Sequence, residues 1–272
     1  MTTILDTILE DVRERVSSDR LRRSLADLRS MVADAPPPRD FAGALAVSFG
    51  LIAEIKERSP SVGPMRPENV ADAPFVYAES PVVRAVSVLT NERHFGMTIE
   101  RLANVRAQIP QPVLRKEFFV DEYQIREARA FGADAILLMA NVLDAPRLAG
   151  FHSLALELGM EALFEIHTPE EIAQLPASAR IVGINSRKFK TDTGFVEAGG
   201  SSEKDFSLDL SVFELVTSLP DGVIRVAESG ISPETIPEVR DGFEAALVGT
   251  SLLRDERGIR ACLADFESAI GG

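Results

Sequence analysis

The chain has 272 residues, 45% of them hydrophobic and 26% charged, which suits one soluble globular domain of barrel size with some residues to spare. A formal net charge of −13 argues against a nucleic-acid or anionic-membrane partner, since both need a basic footprint. No apolar run approaches the roughly 18–20 residues that span a bilayer, and Cys262, the single cysteine, excludes an intrachain disulfide or a Cys-rich zinc site.

The first 49 residues read as a helical extension. Ile4, Ile8, Val12 and Val16 recur every four residues. The opening segment is acidic and lacks the basic start and apolar core of a secretory signal, so the cytoplasm is the expected location. Ser18 or Asp19 is expected to cap a second helix with Leu21, Leu25, Leu28 and Val32 as its stripe, ended by Pro36-Pro37-Pro38. From residue 50 to 272 the pattern is a catalytic domain of alternating elements. Short β-branched runs begin near residues 51, 83, 112, 134, 161, 181, 223 and 245, and a helix-like stretch follows each. Eight such units predict parallel pairing with right-handed crossovers and closure into a (β/α)8 TIM barrel. A doubly wound open sheet is the alternative, but the Gly-rich phosphate loop that usually follows its first strand is absent. The spacing from 181 to 223 is the longest. It contains KFKTDTGFVEAGGSSEKDFS at 188–207, without apolar periodicity, which reads as a long mobile loop: either a lid or a bland surface insertion.

Polar residues stand where a core is due. Glu54 and Lys56 share a face near the end of the first strand. Lys116 follows Leu114 by two residues, Glu165 follows Leu163 by two, Asn185 and Arg187 end the sixth strand, and Glu228-Ser229-Gly230 ends the seventh. All lie at the C-terminal rim, where barrels place their chemistry. One buried Glu-Lys pair is unremarkable scaffold, but burying a charge is costly, and this many converging on one rim point to a site. Gly230 and Gly249-Thr250 end the seventh and eighth strands. Each is an ordinary turn residue alone; together they fit a phosphate cradle built from backbone N–H groups. His94 and His167 near strand ends read as rim residues and His152 as structural. Phe95, Phe118 and Phe119 fit either an aromatic substrate's walls or core packing. No metal-ligand spacing appears, and neither metal nor organic cofactor is expected.

The ordered motifs APPPRDF (35–41), AEIKERSPSVG (53–63), SVLTNERHFG (87–96), LRKEFFVDEYQI (114–125), ADAILLM (133–139), FEIH (164–167), GINSR (183–187), ESGIS (228–232) and LVGTSLL (247–253) resemble the indole-3-glycerol phosphate synthase family over nearly the full length. The resemblance implies closure of a pyrrole ring on 1-(2-carboxyphenylamino)-1-deoxyribulose 5-phosphate, with loss of CO2 and then water. In that reading Lys116 is the general acid of ring closure and Glu165 the acid/base of later steps. Glu54 and Lys56 assist, Lys56 at the phosphate, at dehydration, or at both. Asn185 and Arg187 orient the anthranilate part, with Arg187 suited to a bidentate grip on its carboxylate. Ser59, Gly230, Gly249 and Thr250 match the phosphate cradle, and Ser229 and Glu228 match positions beside the hydroxyls. Phe95, Phe118 and Leu114 match apolar positions around the ring, and Leu247 belongs to the same substrate-binding set.

The chemistry asks for these residue types independently. A carbonyl becoming an alcohol needs a proton donor, for which a lysine of lowered pKa is suited. An aromatic carboxylate leaves as CO2 more easily from a weakly solvated pocket. Three separated cations would offset the acidic charge of the whole chain. The insertion at 188–207, Met97 and Ser80-Pro81 depart from the family pattern. The alternative reading is a non-catalytic or secondary-metabolism paralogue binding a related phosphorylated metabolite. A small phosphorylated substrate is the expected partner, and a monomer the expected state.

Overall fold

The computed structural model describes residues 3–189 and 206–271. Eight parallel strands close into a barrel: β1 (Gly50–Ile55), β2 (Val83–Leu89), β3 (Val113–Lys116), β4 (Ala135–Met139), β5 (Glu161–Ile166), β6 (Ile181–Asn185), β7 (Ile224–Glu228) and β8 (Ala245–Val248). Each pairs with its neighbours in sequence, and β8 pairs with β1 through Gly50–Ala245 to Ala53–Val248. The expected (β/α)8 architecture is therefore the one that forms. The outer layer includes α4 (Pro67–Glu79), α5 (Ile99–Gln108), α6 (Glu122–Ala130), α7 (Ala145–Glu157), α8 (Pro169–Ile172), α9 (Ile236–Val239), α10 (Thr250–Arg254) and α11 (Ile259–Gly271), with a 3-10 segment at Leu210–Ser218. Among the described residues no helix is long and apolar enough to cross a membrane.

Alternation along the strands sorts the core into two layers. Leu51, Ala53, Ile136, Leu138, Phe164 and Ile184 pack outward under the helices. Ile52, Leu114, Ala135, Leu163, Ile181 and Val226 point inward and fill the lower barrel. The odd-numbered and even-numbered residues of one strand thus serve different cores.

Three helices precede the barrel: α1 (Ile4–Arg22), α2 (Leu25–Asp34) and α3 (Phe41–Ala46). Thr3 and Asp6 close α1 with a capping box, and Ser24 and Asp27 do the same for α2. This corrects the expected boundary. Ser18 and Asp19 lie inside α1, and the corner comes five residues later, where Ser24 satisfies the new helix's first N–H groups. The expected stripe fails with it: Leu28 is buried, but Leu21 is 91% exposed at the corner. The Tyr123 hydroxyl fixes that corner by donating to the carbonyls of Asp19 and Arg23. Val12 and Val16 of α1 and Phe41 and Leu45 of α3 join the same buried cluster as the barrel's inward residues. The extension is thus continuous with the barrel core. The segment 188–207 begins and ends as a two-stranded antiparallel ribbon, Arg187–Phe189 against Phe206–Leu208; residues 190–205, on which the loop expectation falls, lie outside the described residues.

Candidate active site

At the C-terminal end of the barrel the inward positions change character. Glu54 is 4% exposed, Glu165 1% and Glu228 0%, so all three carboxyls are held out of water. They are arranged around two lysines. Glu54 Oε1 accepts from Lys56 Nζ at 2.5 Å, while its Oε2 lies 3.4 Å from Lys116 Nζ. Lys116 in turn donates to Glu228 Oε2 at 3.2 Å. Burial alone would raise Glu54, but the two ammonium groups outweigh it and bring the carboxyl down to about 2.

The lysines diverge. Burial lowers Lys56, and Glu54 only partly opposes it while Lys116 and Arg187 repel its charge. Burial would lower Lys116 too, but Glu228, Glu54 and Glu165 together overcome it and raise its pKa. The expectation of a proton donor tuned downward therefore does not hold for Lys116, which Glu228, Glu54 and Glu165 face. Glu228 moves up to about 8, first through burial and then through the like charge of Glu165, with Lys116 opposing.

Two glycines make this packing possible. A Cβ at Gly183 of β6 would stand 2.0 Å from Glu228 Oε1, and one at Gly249 would stand 2.4 Å from Glu54 Oε1. Gly183 pairs with Glu165 on one side and Val226 on the other, so its missing side chain opens the space where the β5 and β7 carboxyls meet. Sequence reading assigned Gly249 to a ligand's approach; the structure adds the carboxylate behind it.

These groups face a cavity. Its polar wall holds Glu54, Lys56, Lys116, Glu165, Asn185 and Arg187, and its rim holds Ser59, Ser229, Gly230, Gly249 and Thr250. Phe95 and Phe118 stand on the apolar side with ring centroids 6.5 Å apart, and Leu247 lies at the floor. Two expected substrate-lining residues are placed elsewhere. Leu114 is fully buried one layer below Lys116 and does not reach the cavity, where Leu137 and Met139 of β4 supply the apolar floor instead. Glu228 also stands behind the wall and acts on the cavity through Lys116. Phe119, one residue from Phe118, turns outward onto the buried Arg115 guanidinium, 5.5 Å from the ring centroid.

The rim is tied together by its loops. After β1, Arg58–Ser59 pairs antiparallel with Gly63–Pro64, and Arg58 donates to the Glu92 carbonyl at 2.7 Å. Ser59 and Ser61 hydroxyls lie 2.8 Å apart, and Arg187 donates to Ser61. Asn185 Oδ1 accepts from the Arg187 backbone N–H at 2.9 Å. Ser229 is the one non-glycine residue with positive φ among those described, at 67°, followed by Gly230 at 70°. A serine there carries backbone strain, the kind that functional turns retain. Gly249 starts α10 without a side-chain cap.

The extension contributes a wall that sequence reading missed. Ile8 of α1 lines the cavity. Arg15 donates to the Thr90 carbonyl at 2.8 Å and pairs with buried Glu117 at 2.5 Å, directly beside Lys116. Asp11 holds His94 Nε2 at 2.7 Å, next to Phe95. The only sequence signal for these contacts was the periodicity of α1, which marks a buried face without saying what covers it.

A family model described as indole-3-glycerol phosphate synthase matches residues 5–262. The chain is 39% identical to the indole-3-glycerol phosphate synthase of Kineococcus radiotolerans, over 98% of this chain and 96% of that protein. It is 40% identical to the one from Micrococcus luteus, over 95% of this chain and 96% of that protein. Among solved structures, 3-hexulose-6-phosphate synthase shares the fold at a TM-score of 0.55 and 15% identity, covering 81% of this chain and 99% of that one. Thiamine phosphate pyrophosphorylase from Pyrococcus furiosus does so at 0.55 and 13%, covering 85% and 98%. At such identity the structural likeness concerns the barrel alone; the full-length sequence match goes further, and the chain belongs to the indole-3-glycerol phosphate synthase family.

Proposed function

We propose that this protein closes the indole ring of 1-(2-carboxyphenylamino)-1-deoxyribulose 5-phosphate, releasing CO2 and water to give indole-3-glycerol phosphate in the biosynthesis of tryptophan. The observation that carries the reading is Lys116, held between Glu54 and Glu228 and facing a cavity with Arg187 on its wall. As the ring carbon bearing the carboxylate attacks the ribulose carbonyl, Lys116 gives its proton to the carbonyl oxygen. Loss of CO2 restores the aromatic ring. Glu165 then serves as acid/base in the departure of water. Lys56, whose proton is held less tightly, supports the phosphate and the dehydration step, and Glu54 fixes both lysines. Asn185 holds Arg187, and Arg187 takes the substrate's carboxylate.

The phosphate belongs at the ends of β7 and β8, on the backbone of Gly230, Gly249 and Thr250 with Ser59 opposite. Barrels of this class bind phosphate there, beside a short extra helix such as α10. Ser229 sits on the side of the substrate hydroxyls, and Phe95, Phe118 and Leu247 pack on its ring. Lys56, Lys116 and Arg187 are the cations of the cavity lining that meet an anionic substrate, while Glu117 beside them is paired with Arg15. We place the protein in the cytoplasm as a monomer, in keeping with the acidic chain.

The test is a fluorescence assay of indole formation with the purified protein and this substrate. Turnover supports the reading; bound substrate that is never converted overturns it in favour of a binding paralogue. Arg187→Ala should raise KM about tenfold, as loss of a charged hydrogen bond does. A phosphate-only competitor should bind that variant as before. Equal weakening of both ligands would remove Arg187 from the carboxylate.

A further inference from the structure

Arg187 differs from the other cations around the site in the partner it is given. Arg15 is paired with Glu117, Lys56 with Glu54, and Lys116 with Glu54 and Glu228. Among the described residues, no carboxylate makes an ion pair with Arg187. Its guanidinium donates from Nη1 to the hydroxyl of Ser61, a neutral acceptor, and its backbone N–H donates to Asn185 Oδ1. Arg187 and Ser61 both line the cavity. Burial pulls the guanidinium pKa down, and the charges of Glu54 and Glu165 oppose this only in part. A cation held in this way keeps its charge on offer to a ligand.

The bond to Ser61 also decides which donors remain. With Nη1 on the hydroxyl, the edge formed by Nε and Nη2 is left, and its two N–H groups are parallel. That edge is the fork that fits a carboxylate. The row of hydrogen bonds continues beyond Arg187. A guanidinium can only donate, so the Ser61 oxygen accepts and its own proton is free for Ser59. The Ser59 oxygen lies 2.8 Å away and also accepts from the Ser61 backbone N–H at 3.2 Å. Ser59, itself on the cavity wall, is then left with a proton to give, and donors in such a row polarise one another. The turn that carries both serines is pinned. Arg58–Ser59 pairs with Gly63–Pro64, and Arg254 donates to the Val62 carbonyl at 3.1 Å.

We propose that Ser61 is a positioning residue: its neutral hydrogen bond holds the Arg187 guanidinium and leaves the Nε–Nη2 edge for the ring carboxylate of the substrate, so that the hydroxyl sets the preference for a carboxylated ring. The inference deepens the function proposed above and rests on it for the identity of the ligand, while the contact between Ser61 and Arg187 stands by itself. A carboxylate at position 61 would neutralise the guanidinium and compete with the substrate for it. A methyl would leave the guanidinium without its acceptor. A hydroxyl does neither.

Two measurements test it. The first needs no substrate. It is an NMR spectrum of the arginine side chains in the unliganded protein, with the Arg187 signals assigned from their loss in Arg187→Lys. The Nη protons of Arg187 should be separately resolved, as in a guanidinium whose rotation is restrained. They should average in Ser61→Ala and separate again in Ser61→Thr, which keeps the hydroxyl. Averaged signals in the wild type, or signals unchanged in Ser61→Ala, overturn the proposal. The second is kinetic. Ser61→Ala should raise KM about fivefold, the worth of one ordinary hydrogen bond, with kcat within about twofold. Ser61→Thr should restore KM. Adding Ser61→Ala to Arg187→Ala should change KM by less than about twofold, since the hydroxyl acts through that side chain. A full further loss in the double variant, or an equal loss of affinity for an analogue lacking the ring carboxylate, would mean a merely structural residue and overturn the proposal. A wild-type protein that neither binds nor converts the substrate would sink the activity, and the NMR comparison would still decide whether Ser61 holds Arg187.

Discussion

At Ile52, Leu114, Leu163 and Val226 the barrel interior is apolar and fully buried; two residues further along the same four strands stand Glu54, Lys116, Glu165 and Glu228. The two halves share strands, direction and burial. In the lower half, removal from water is itself the stabilising term, at about 25 cal/mol per Å² of apolar surface. In the upper half it is a cost, offset only by the neighbours each charge finds. Glu54 reaches both lysines, Lys116 reaches two carboxylates, and Gly183 and Gly249 give up side chains to let them. The contrast teaches that one half holds the barrel together and the other holds the chemistry, and that the second relies on the first for its rigidity.

Substitutions can break this division or sharpen it. Lys116→Ala should have the largest effect, lowering indole formation by about a thousandfold, within the usual span for a lost general acid. Its circular dichroism spectrum should stay that of the wild type; turnover within tenfold of wild type would remove Lys116 from the chemistry. Leu163→Ala, one layer down on β5, should do the reverse. It should cost about 2–5 kcal/mol of stability in denaturant unfolding, with kcat per folded molecule hardly altered. A large fall in kcat would show that the halves are not separable. Gly183→Ala lies at the boundary. Its methyl would have to displace the Glu228 carboxyl, so about 1–3 kcal/mol of stability and about a tenfold share of kcat should be lost together. Unchanged activity would mean that Glu228 can move freely.

The smallest expected effect is the pH dependence of Glu228. Its folded value, about 8, lies above the ordinary 4.5, so the fold favours the protonated form. That contribution is full below the ordinary value and is lost as pH rises through about 8. Glu228→Gln, which keeps the neutral shape, should therefore gain on the wild type in melting temperature between pH 6 and pH 9. The difference should widen by several degrees, at roughly 2–4 °C per kcal/mol for a domain of this size class. A constant difference across that range would show that Glu228 is already ionised at the lower pH.

Much of this was legible before any fold was drawn. The β-branched runs near 51, 83, 112, 134, 161, 181, 223 and 245 fall on the eight strands, because a buried parallel strand must be apolar on both faces. The polar breaks in those runs drew attention to the rim, since Lys116 two residues after Leu114 shares its face. Alternation along one strand does not say what stands across the barrel. It could not show that Leu137 and Met139, rather than Leu114, floor the cavity, or that Gly183 is small on account of Glu228. Nor could it give opposite pKa directions to Lys56 and Lys116, since Lys116 meets carboxyls from three other strands and Lys56 meets only Glu54 of its own, with two cations against it. The α1–α2 corner was misplaced because Ser18 and Asp19 suit a cap as Ser24 does, and the contacts of Tyr123 with Asp19 and Arg23 across the corner do not show in the sequence. The part played by Ile8 and Arg15 was invisible, since Arg15 meets Thr90 and Glu117, 75 and 102 residues away.

The seam between β1 and β8 has a consequence for how the protein is made. Gly50–Ala53 leaves the ribosome 195 residues before Ala245–Val248, yet the two must pair before the sheet has no free edge. Until then β1 presents unpaired amides to any passing strand, the usual opening for aggregation. The same late strand brings Gly249 over Glu54 and, with α10, completes the rim. A growing chain is therefore both sticky and inert until β8 and α10 arrive, and any helper that shields the first strand during synthesis guards the active site before it exists.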